Sequence, residues 1–334
     1  MANDDFAVVV GISRYPFISD LKGPENDARN FHDWLLAPQG GGVPKQNAKL
    51  ILSSDFTATE IPEDAEPTTE RIDRTFGQLV RRGMNNNGCV GRRLYIYLAG
   101  HGFAPNVDEA ALLMANAGLG FYGNHIPGRS YANWFLVAAY FTEVVLFMDC
   151  CRDVFPRASL HQPPWDFIQT QGAGVLRLFG FATEWSRKSR EKPDTNGQVQ
   201  GVFTKALLAG LSGQASNPQG HVTGDSLKRF VLNFLPTLLN EKERQEPKFE
   251  GDDIVLVEGA LPRGTPVRIT FDRISPGQNV DLLDSAREVI ATRAASADIW
   301  EIGLNKGYYK LQAHNGGNSQ LFEVIGEEVV HVQF

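Results

Sequence analysis

The sequence predicts an α/β fold, a mainly parallel sheet flanked by helices on both faces, followed by a small all-β sandwich. Short apolar runs rich in β-branched residues alternate with longer stretches of helical spacing, which is typical of parallel strands joined by helices. From about residue 260, apolar residues recur at short intervals with Gly and Asn between them, which is typical of antiparallel strands. The 334 residues are long enough for one large domain and one small one.

The first 150 residues supply the predicted sheet and its first helices. Each predicted strand is a short apolar run, as expected of a strand buried on both faces. In the first predicted helix, Pro24 suits the opening turn, where its missing N–H costs nothing. The strands predicted are Phe6–Gly11, Ala48–Ser53, Leu94–Leu98, Val144–Met148 and the shorter Leu112–Met114; the helices are Pro24–Leu36, Pro67–Arg82 and Ser130–Phe141; Gly83–Arg92 is predicted to be an exposed loop.

Beyond the fourth long strand, the sequence predicts a charged loop, two helices and the β-sandwich. The polar stretch Glu184–Gln200 is predicted to be a mobile loop, and the helices are predicted over Phe203–Gly213 and Ser226–Leu239. Apolar residues then occur at every second position, as in Val267, Ile269 and Phe271. We therefore predict a first domain over residues 1–258 and a β-sandwich domain over 262–334, with the boundary in the segment 259–264.

Composition and charge limit the classes of function. A net charge of −7 argues against a nucleic-acid-binding protein, which would normally carry a basic stripe. No basic stretch leads into a long apolar segment at the start, and no apolar run approaches the roughly 18 residues that span a membrane. The three cysteines are too few and too irregular for a disulfide framework, so we expect reduced thiols and a cytoplasmic protein.

Two predicted strands end in reactive side chains. One strand leads into His101 within Gly-His-Gly, and the other leads into Cys151, fifty positions later. Because functional groups of an α/β sheet collect beyond the carboxyl ends of its strands, the two residues can meet, and an imidazole can activate a thiol as a nucleophile. Each residue alone is more often structural, a buried histidine or an inert small apolar cysteine. The gap of about 50 residues matches a caspase histidine and its cysteine.

These segments resemble a known family. The runs LYIYLAGHGF and VVLFMDCCRD resemble the histidine and cysteine strands of the caspase-like clan, above all its metacaspase and prokaryotic branch. VVVGISRY with LKGPENDA resembles the first strand and helix of that branch, and VFTKALLAGLSG resembles the helix after the active-site loops. The resemblance covers about residues 5 to 255 and implies a caspase-like fold and a cysteine endopeptidase.

The resemblance also implies roles for individual residues. Cys151 corresponds to the nucleophile because it stands two positions after Asp149, and strand alternation places residues 149 and 151 on one side and Cys150 on the other. His101 would be the general base, or the acid that protonates the leaving amine. The backbone amides of Gly102 and Cys151 would form the oxyanion hole.

Substrate preference follows from two carboxylates. In metacaspases the pocket for the residue before the cut is lined by the Asp of Asp-x-Cys and by an Asp of the Asn-Asp-Ala block, which here are Asp149 and Asp27. Buried carboxylates need a cationic partner, so the resemblance implies cleavage after Arg or Lys. The simpler interpretations are a helix-dipole charge for Asp27 and a capping role for Asp149. Arg152-Asp153 departs from the His-Ser or His-Ala that usually follows the metacaspase cysteine, a departure at the rim of the pocket.

Regulation is less well defined by the sequence. The predicted loop Glu184–Gln200 is a candidate self-cleavage site or a solvated charged segment. Metacaspases, which the sequence resembles, often need calcium. The acidic stretch 250–253 lacks the spacing of a calcium loop, so we expect no obligatory metal and no cofactor. The loop residues concerned are Arg187, Lys188, Arg190 and Lys192, with Trp185 as a residue of the cleft or the core.

Sequence features also bear on other classes of function. A zinc site is disfavoured by the cysteine spacing, a Cys150–Cys151 redox pair lacks the Cys-x-x-Cys motif, and a dinucleotide site lacks Gly-x-Gly-x-x-Gly. The strongest rival is a catalytically silent caspase fold that acts as a scaffold or binds a partner. We expect a protein or peptide substrate with a basic residue before the cut, no nucleic acid and no membrane as partners, and a regulator bound through the C-terminal domain. The resemblance also implies a role in bacterial stress or anti-phage responses.

Overall fold

A computed structural model describes residues 4–86, 88–118, 120–154, 160–166, 174–184, 189–193, 197–217, 220–240, 243–258, 265–285, 287–304, 307–314, 317–325 and 329–334. The chain forms two compact units, Met1–Leu208 with Leu238–Ile254, and Ala209–Thr237 with Val255–Phe334. The predicted boundary segment 259–264 lies outside the described residues, and the division at 258 and 262 stays a prediction.

The first unit contains most of the helices and a six-stranded sheet. Its helices are α1 Pro24–Leu36, α2 Thr69–Asn85, α3 Gly128–Ala138 and α4 Val202–Ala209. Its strands are β1 Asp5–Gly11, β2 Ala48–Leu52, β3 Gly91–Gly100, β4 Gly102–Ala104, β5 Ala111–Leu113, β6 His125–Pro127, β7 Phe141–Cys150, β8 Asp153–Val154, β9 Leu176–Phe181, β10 Glu191–Pro193 and β11 Val199–Gly201.

The remaining elements follow in chain order, with β13 belonging to the first unit. They are β12 Val222–Thr223, α5 Gly224–Phe234, β13 Lys248–Gly251, β14 Val255–Val257, β15 Thr265–Thr270, β16 Asn279–Leu283, β17 Val289–Ala294, β18 Trp300–Leu304, β19 Gly307–Ala313, β20 Ser319–Val324 and β21 Val330–Gln333. Short 3-10 turns occur at Lys45–Asn47, Ser53–Asp55, Pro62–Asp64 and Leu235–Leu238, and a π turn at Gly210–Gln214.

The central sheet is mainly parallel, as predicted. Its strand order is β13-β9-β7-β3-β1-β2, and all neighbours pair in parallel except the antiparallel pair β13 and β9. The sequence analysis missed β9 and β13. The first begins with an exposed Leu176 and an arginine and contains a glycine, and the second is the short charged run KFEG at the edge, so neither carries a clear apolar run.

Helices cover both faces of this sheet, which confirms the predicted layers. Alternation along β3 turns Tyr95 and Tyr97 to one face, where Phe31 of α1 stacks on Tyr97 with ring centroids 4.5 Å apart. The opposite face packs against α2 and α3 in one apolar core. That core includes Leu94, Ile96 and Leu98 of β3, Ile72, Phe76 and Val80 of α2, and Tyr131 and Phe135 of α3.

The second unit contains the β-rich C-terminal part. Its sheets have the orders β18-β15-β21 and β17-β16-β19-β20, and residues from both form one core. This arrangement agrees with the predicted sandwich, with one difference: β15 and β21 pair in parallel. Core residues include Val267, Ile269, Val280, Leu282, Trp300 and Leu311.

Several predicted boundaries were wrong. The predicted helix Ser130–Phe141 ends at Ala138, because Ala139 has a left-handed φ of 52° and Phe141 already begins β7. The predicted loop Gly83–Arg92 is shorter in the structure, because α2 continues to Asn85 and β3 already begins at Gly91.

The predicted mobile loop Glu184–Gln200 was also wrong in its described part. Strands β10 and β11 pair antiparallel within it. The positions of Trp185, Arg187 and Lys188 lie outside the described residues. Across the described parts of the chain, no helix is long and apolar enough to cross a membrane.

Candidate active site

The site begins at the carboxyl ends of β3 and β7. These strands are parallel neighbours, and Gly100 at the end of one pairs with Cys150 at the end of the other. His101 and Cys151 therefore follow adjacent strand ends, where neighbouring backbones are about 4.8 Å apart. The topology brings together the two residues that the sequence analysis selected.

Contacts of the His101 ring define its tautomer. Nε2 of His101 lies 2.7 Å from the carbonyl oxygen of Ser19. Because a carbonyl oxygen can only accept a hydrogen bond, Nε2 carries the proton and Nδ1 has the lone pair. Burial lowers the pKa of His101 below its ordinary value, so the ring is neutral at neutral pH. A neutral imidazole with an unprotonated Nδ1 is suited to take up a proton.

Tyr15 holds the backbone of His101 in place. The Tyr15 hydroxyl accepts a hydrogen bond from the amide of His101 at 3.0 Å and donates one to the carbonyl oxygen of Leu113 at 3.2 Å. Its ring also packs edge-on against the imidazole, with centroids 4.8 Å apart. The sequence analysis did not identify Tyr15, which lies in the loop after β1, four positions beyond the last residue of that strand.

The two adjacent cysteines lie in different environments. Cys150 is 2% exposed, and burial raises the pKa of its thiol well above the ordinary value. Cys151 is partly exposed, and its Sγ lies 4.0 Å from the carbonyl oxygen of Ser189. A thiol that stays protonated is a poor nucleophile, so Cys151 is the better candidate of the pair.

Gly102 packs closely against the end of β7. A β-carbon on Gly102 would lie 2.7 Å from both Cβ and Sγ of Cys150 and 2.8 Å from the carbonyl oxygen of Ala111. Only glycine fits there without moving backbone. Gly102, the predicted oxyanion-hole residue, therefore lies directly beside Cys150, the residue that precedes Cys151.

Asp149 is held by a buried network of hydroxyl and amide donors. Its Oδ2 accepts from the Thr204 amide at 3.1 Å and from the Thr204 hydroxyl at 2.7 Å, and its Oδ1 accepts from the Ser189 hydroxyl at 2.6 Å. Since the Thr204 hydroxyl donates to Asp149, the Tyr97 hydroxyl at 2.6 Å donates to Thr204. Burial nevertheless raises the pKa of Asp149.

Asp27 is buried with an incomplete set of hydrogen bonds. The residue is 2% exposed, and its Oδ2 accepts from the amide of Gly201 at 2.8 Å. Its Oδ1 is buried and has no hydrogen-bond partner among the described residues. Burial, followed by the charge of Asp149, raises the pKa of Asp27 well above its ordinary value. A carboxylate in this state is stabilised by an incoming donor or cation.

The structure brings the two predicted pocket residues together. A β-carbon on Gly201 would collide with the carboxylates of both Asp149 and Asp27. Gly201 ends β11 and precedes α4, so the hairpin of β10 and β11 forms a wall of this acidic site. The sequence analysis assigned this hairpin to a loop and missed Ser189, Gly201 and Thr204.

A buried glutamine fixes the segment that passes over Cys151. Gln245 is 3% exposed, and its Oε1 accepts from the amide of Arg190 at 3.0 Å. Its Nε2 donates to the carbonyl oxygen of Ala182 at 3.0 Å and to the Ser189 hydroxyl at 3.4 Å. The position of Ser189 between Cys151 and Asp149 is thus set by the protein interior.

Arg152 does not line the rim of the acidic pocket. Its side chain is 1% exposed, and its guanidinium donates to the carbonyl oxygens of Val107 at 2.8 Å and Glu109 at 3.2 Å. The group also lies over the ring of Phe181, 5.1 Å from the centroid. The unusual residue after the cysteine therefore has an internal, structural role.

Metal-ligating side chains and thiols also bear on the chemistry of the site. Within the described ranges, no three or more His, Cys, Asp or Glu side chains are arranged to hold a metal ion. All three cysteines belong to those ranges, and none forms a disulfide.

A histidine and a cysteine thus follow adjacent carboxyl ends of a mainly parallel sheet. Comparison with protein families gives a match to the caspase domain over residues 4–252. The chain belongs to the caspase domain family. This confirms the predicted resemblance to the caspase-like clan.

Two individual proteins are similar to this chain. A probable protease of a Desulfuromonadales bacterium is 28% identical over 254 residues, which is 68% of this chain and 29% of that protein. The chain therefore spans less than a third of the length of this curated relative. The crystal structure of caspase-1 from Spodoptera frugiperda matches with a TM-score of 0.50 and 12% identity, over 75% of this chain and 86% of that one. At this identity the structural match shows the fold alone.

Proposed function

We propose that this protein is a cysteine endopeptidase that cleaves peptide bonds after Arg or Lys, with Cys151 as nucleophile and His101 as its proton acceptor and donor. The observation that carries the proposal is the delivery of both residues by paired strand ends beside a buried acidic pocket. A catalytically silent scaffold would not require His101, Cys151 and the two carboxylates to lie at one site.

In the proposed reaction, His101 transfers the protons and Cys151 carries the acyl group. Nδ1 of His101 takes the thiol proton, and the Cys151 thiolate attacks the carbonyl carbon of the scissile bond. The resulting oxyanion accepts hydrogen bonds from the amides of Gly102 and Cys151. The imidazolium protonates the leaving amine as the C–N bond breaks, which gives a thioester. His101 then deprotonates a water molecule that hydrolyses the thioester and releases the thiol.

The acidic pocket supports the preference for basic residues. Asp27 offers a buried oxygen that has no hydrogen-bond partner among the residues the structure describes, and Asp149 is fixed next to it by Ser189 and Thr204. A guanidinium or ammonium group placed there would supply the missing donor and would offset the repulsion between the two carboxylates. An acidic substrate side chain would add a further negative charge to this repulsion.

Peptide cleavage tests the proposal directly. The purified full chain is incubated with fluorogenic peptides that end in Arg, Lys, Asp or Leu, beside Cys151→Ala and His101→Ala. We expect cleavage after Arg or Lys that is lost in both variants. Cleavage after Asp alone would retain the dyad and contradict the acidic pocket. If no peptide is cleaved and an arginine-directed thiol probe leaves Cys151 unlabelled, the scaffold function is favoured instead.

Regulation by a partner of the C-terminal part, self-cleavage at the basic residues after Glu184 and a role in bacterial stress or anti-phage responses remain predictions from the resemblance. The same holds for the cytoplasmic location. Each is separate from the peptidase test, because the test depends only on the first unit's own residues.

A further inference from the structure

The loop between β1 and α1, residues 12–23, supplies two contacts that fix His101. The carbonyl oxygen of Ser19 accepts from Nε2 of His101 at 2.7 Å, and the Tyr15 hydroxyl accepts from its amide at 3.0 Å. Residues 12–23 belong to no helix or strand. The position of His101 therefore depends on the interactions that hold this loop in one shape.

Asp20 joins the two parts of the loop that contact His101. A backbone bond from the Leu21 amide to the carbonyl oxygen of Ser13, 2.9 Å long, closes the base of the loop. Within the loop, Oδ1 of Asp20 accepts from the amide of Tyr15 at 2.8 Å. The Ser19 carbonyl and the Asp20 amide share one rigid peptide plane. Fixing Asp20 against Tyr15 therefore also orients the Ser19 carbonyl toward the imidazole.

The bond from Tyr15 to Asp20 is costly to lose. Tyr15 is 1% exposed, so its amide has little access to water that could replace the carboxylate. A buried donor that loses its acceptor bears the full cost of its desolvation. Without Asp20, the loop would relieve this cost by moving, and the two contacts to His101 would move with it.

The charge of Asp20 also acts on the imidazole. Burial lowers the pKa of His101, whereas the hydrogen bond to Ser19 and the charge of Asp20 raise it. Asp20 itself is exposed, so this interaction is partly screened by solvent. A nearby negative charge favours the imidazolium, which is the form that His101 takes after it accepts a proton.

Other titratable or charged groups around His101 do not replace this charge. The Tyr15 ring packs against the imidazole, but burial raises the pKa of its hydroxyl, so it stays neutral. Arg14 of the same loop donates to backbone carbonyl oxygens of the segment after β2. Cys151 follows the neighbouring strand end and is the proposed proton donor to His101. Asp20 is thus the carboxylate of this loop that acts on the histidine.

We propose that Asp20 is a positioning residue that holds Tyr15 and Ser19 against His101 and favours the charged imidazolium during the reaction. It does not touch the substrate and acts through His101. The inference rests on the proposed function, since it concerns the histidine of the same site. Its test nevertheless uses the state of His101, which can be measured without any cleavage.

NMR titration of the imidazole is the first test. Full-length Cys151→Ala is compared with Cys151→Ala that also carries Asp20→Asn or Asp20→Ala, and the His101 signal is identified by its loss in His101→Ala. Asp20→Asn keeps an oxygen acceptor for the Tyr15 amide and removes the charge, whereas Asp20→Ala removes both. Asp298→Asn is the matched control, because it removes the same charge from an exposed position in the other compact unit.

The two variants should separate charge from position. In Asp20→Asn, the pKa of His101 should fall by about 0.2–0.7, and the nitrogen chemical shifts should still show the proton on Nε2. In Asp20→Ala, the pKa should fall as well, and the imidazole should become a mixture of tautomers because the Ser19 carbonyl is no longer held. Asp298→Asn should leave both the pKa and the tautomer as in the parent protein.

Kinetics of the variants with Cys151 present extend the test to catalysis. For a peptide ending in Arg, kcat/KM should fall about tenfold in Asp20→Ala and by less than about threefold in Asp20→Asn. The acidic limb of the pH profile should move to lower pH in both variants, a change that a merely structural role of Asp20 would not produce in the folded Asp20→Asn protein.

The outcomes distinguish this inference from the proposed peptidase activity. An unchanged His101 pKa in Asp20→Asn, or a single Nε2-protonated tautomer in Asp20→Ala, would overturn the role of Asp20 even if peptides are cleaved after basic residues. If the wild type cleaves no peptide but both NMR effects are found, the proposed function fails and the role of Asp20 in holding His101 is supported.

Discussion

The Tyr15 hydroxyl bonds to the backbone amide of His101 at 3.0 Å, and the Tyr15 ring packs against the imidazole of that same residue. One side chain thus fixes both the backbone and the ring of His101. Ser19 completes the arrangement by accepting from Nε2. The loop after β1 therefore positions the histidine that follows β3.

Removing only the hydroxyl of Tyr15 should reduce catalysis while the fold is retained. Tyr15→Phe keeps the ring contact but leaves the His101 amide and the Leu113 carbonyl without this partner. We expect kcat to fall about tenfold with little change in KM, and the free energy of unfolding to fall by about 1–3 kcal/mol. Steady-state kinetics and urea denaturation measure both effects.

Tyr308→Phe is the control for that experiment, since Tyr308 is exposed and belongs to the other compact unit. It should leave kcat unchanged. An unchanged kcat in Tyr15→Phe would show that the ring contact and Ser19 alone position His101.

Gly102→Ala should lower kcat strongly, although it adds only one methyl group. The methyl group would meet Cys150 and the carbonyl oxygen of Ala111, so the backbone at Gly102, with its amide, must move. Displacing a donor of an oxyanion hole costs about 10²–10³ in kcat. We expect a loss of this size in kcat for Gly102→Ala.

Gly123→Ala is the matched control for the change at Gly102, because nothing lies within 4 Å of its β-carbon position. Circular dichroism of both variants shows whether the fold is kept. A folded Gly102→Ala protein with wild-type kcat would argue against an oxyanion contact from this amide.

Most of the scaffold could be predicted from local sequence, because its strands and helices carry strong periodicity. The predicted bounds of α1 agree with the structure, and the runs around β1, β3 and β7 were placed correctly. Among the strands that were not predicted, β9, β10, β11 and β13 are short or rich in polar residues, and pairing with neighbours stabilises them.

The dependence on local sequence also explains which residues of the site were predicted. His101 and Cys151, which directly follow strong strands, were found from sequence, whereas Tyr15, Ser189 and Gly201 lie in loops or weak strands. Their positions depend on contacts that are distant along the chain, such as the bond from Gln245 that fixes the segment of Ser189. No local pattern specifies such contacts.

The two adjacent cysteines should respond differently to the same change. Cys151→Ala should abolish cleavage, by about 10⁴-fold or more in kcat. Cys150→Ala should keep kcat within a few-fold, because the buried Cys150 thiol has a raised pKa and stays protonated. Alkylation with iodoacetamide followed by mass spectrometry should label Cys151 and the exposed Cys89 ahead of Cys150. Preferential labelling of Cys150, or activity retained in Cys151→Ala, would reverse the assignment.

Asp27 should make both stability and substrate binding depend on pH. Its folded-state pKa is raised, first by burial and then by Asp149, so the native state holds this proton more tightly than the unfolded chain. The linked stability is fully present below the unfolded-state pKa and is lost as pH rises through the folded-state pKa. Asp27→Asn keeps an acceptor for the Gly201 amide and removes the charge. The melting temperature of Asp27→Asn relative to the wild type should therefore increase with pH, by about 2–4 °C for each kcal/mol of repulsion that is relieved.

Binding should change in the opposite sense, because an ionised Asp27 attracts a cationic side chain and a protonated one does not. In the wild type, KM for a peptide ending in Arg should fall as pH rises through the pKa of Asp27, while Asp27→Asn should have a high KM that varies little over this range. Calorimetric melting and kinetics at matched pH values measure the two effects on the same proteins. A destabilised Asp27→Asn at high pH would mean that the carboxylate already has a compensating partner, and the proposed pocket for a basic residue would lose its main support.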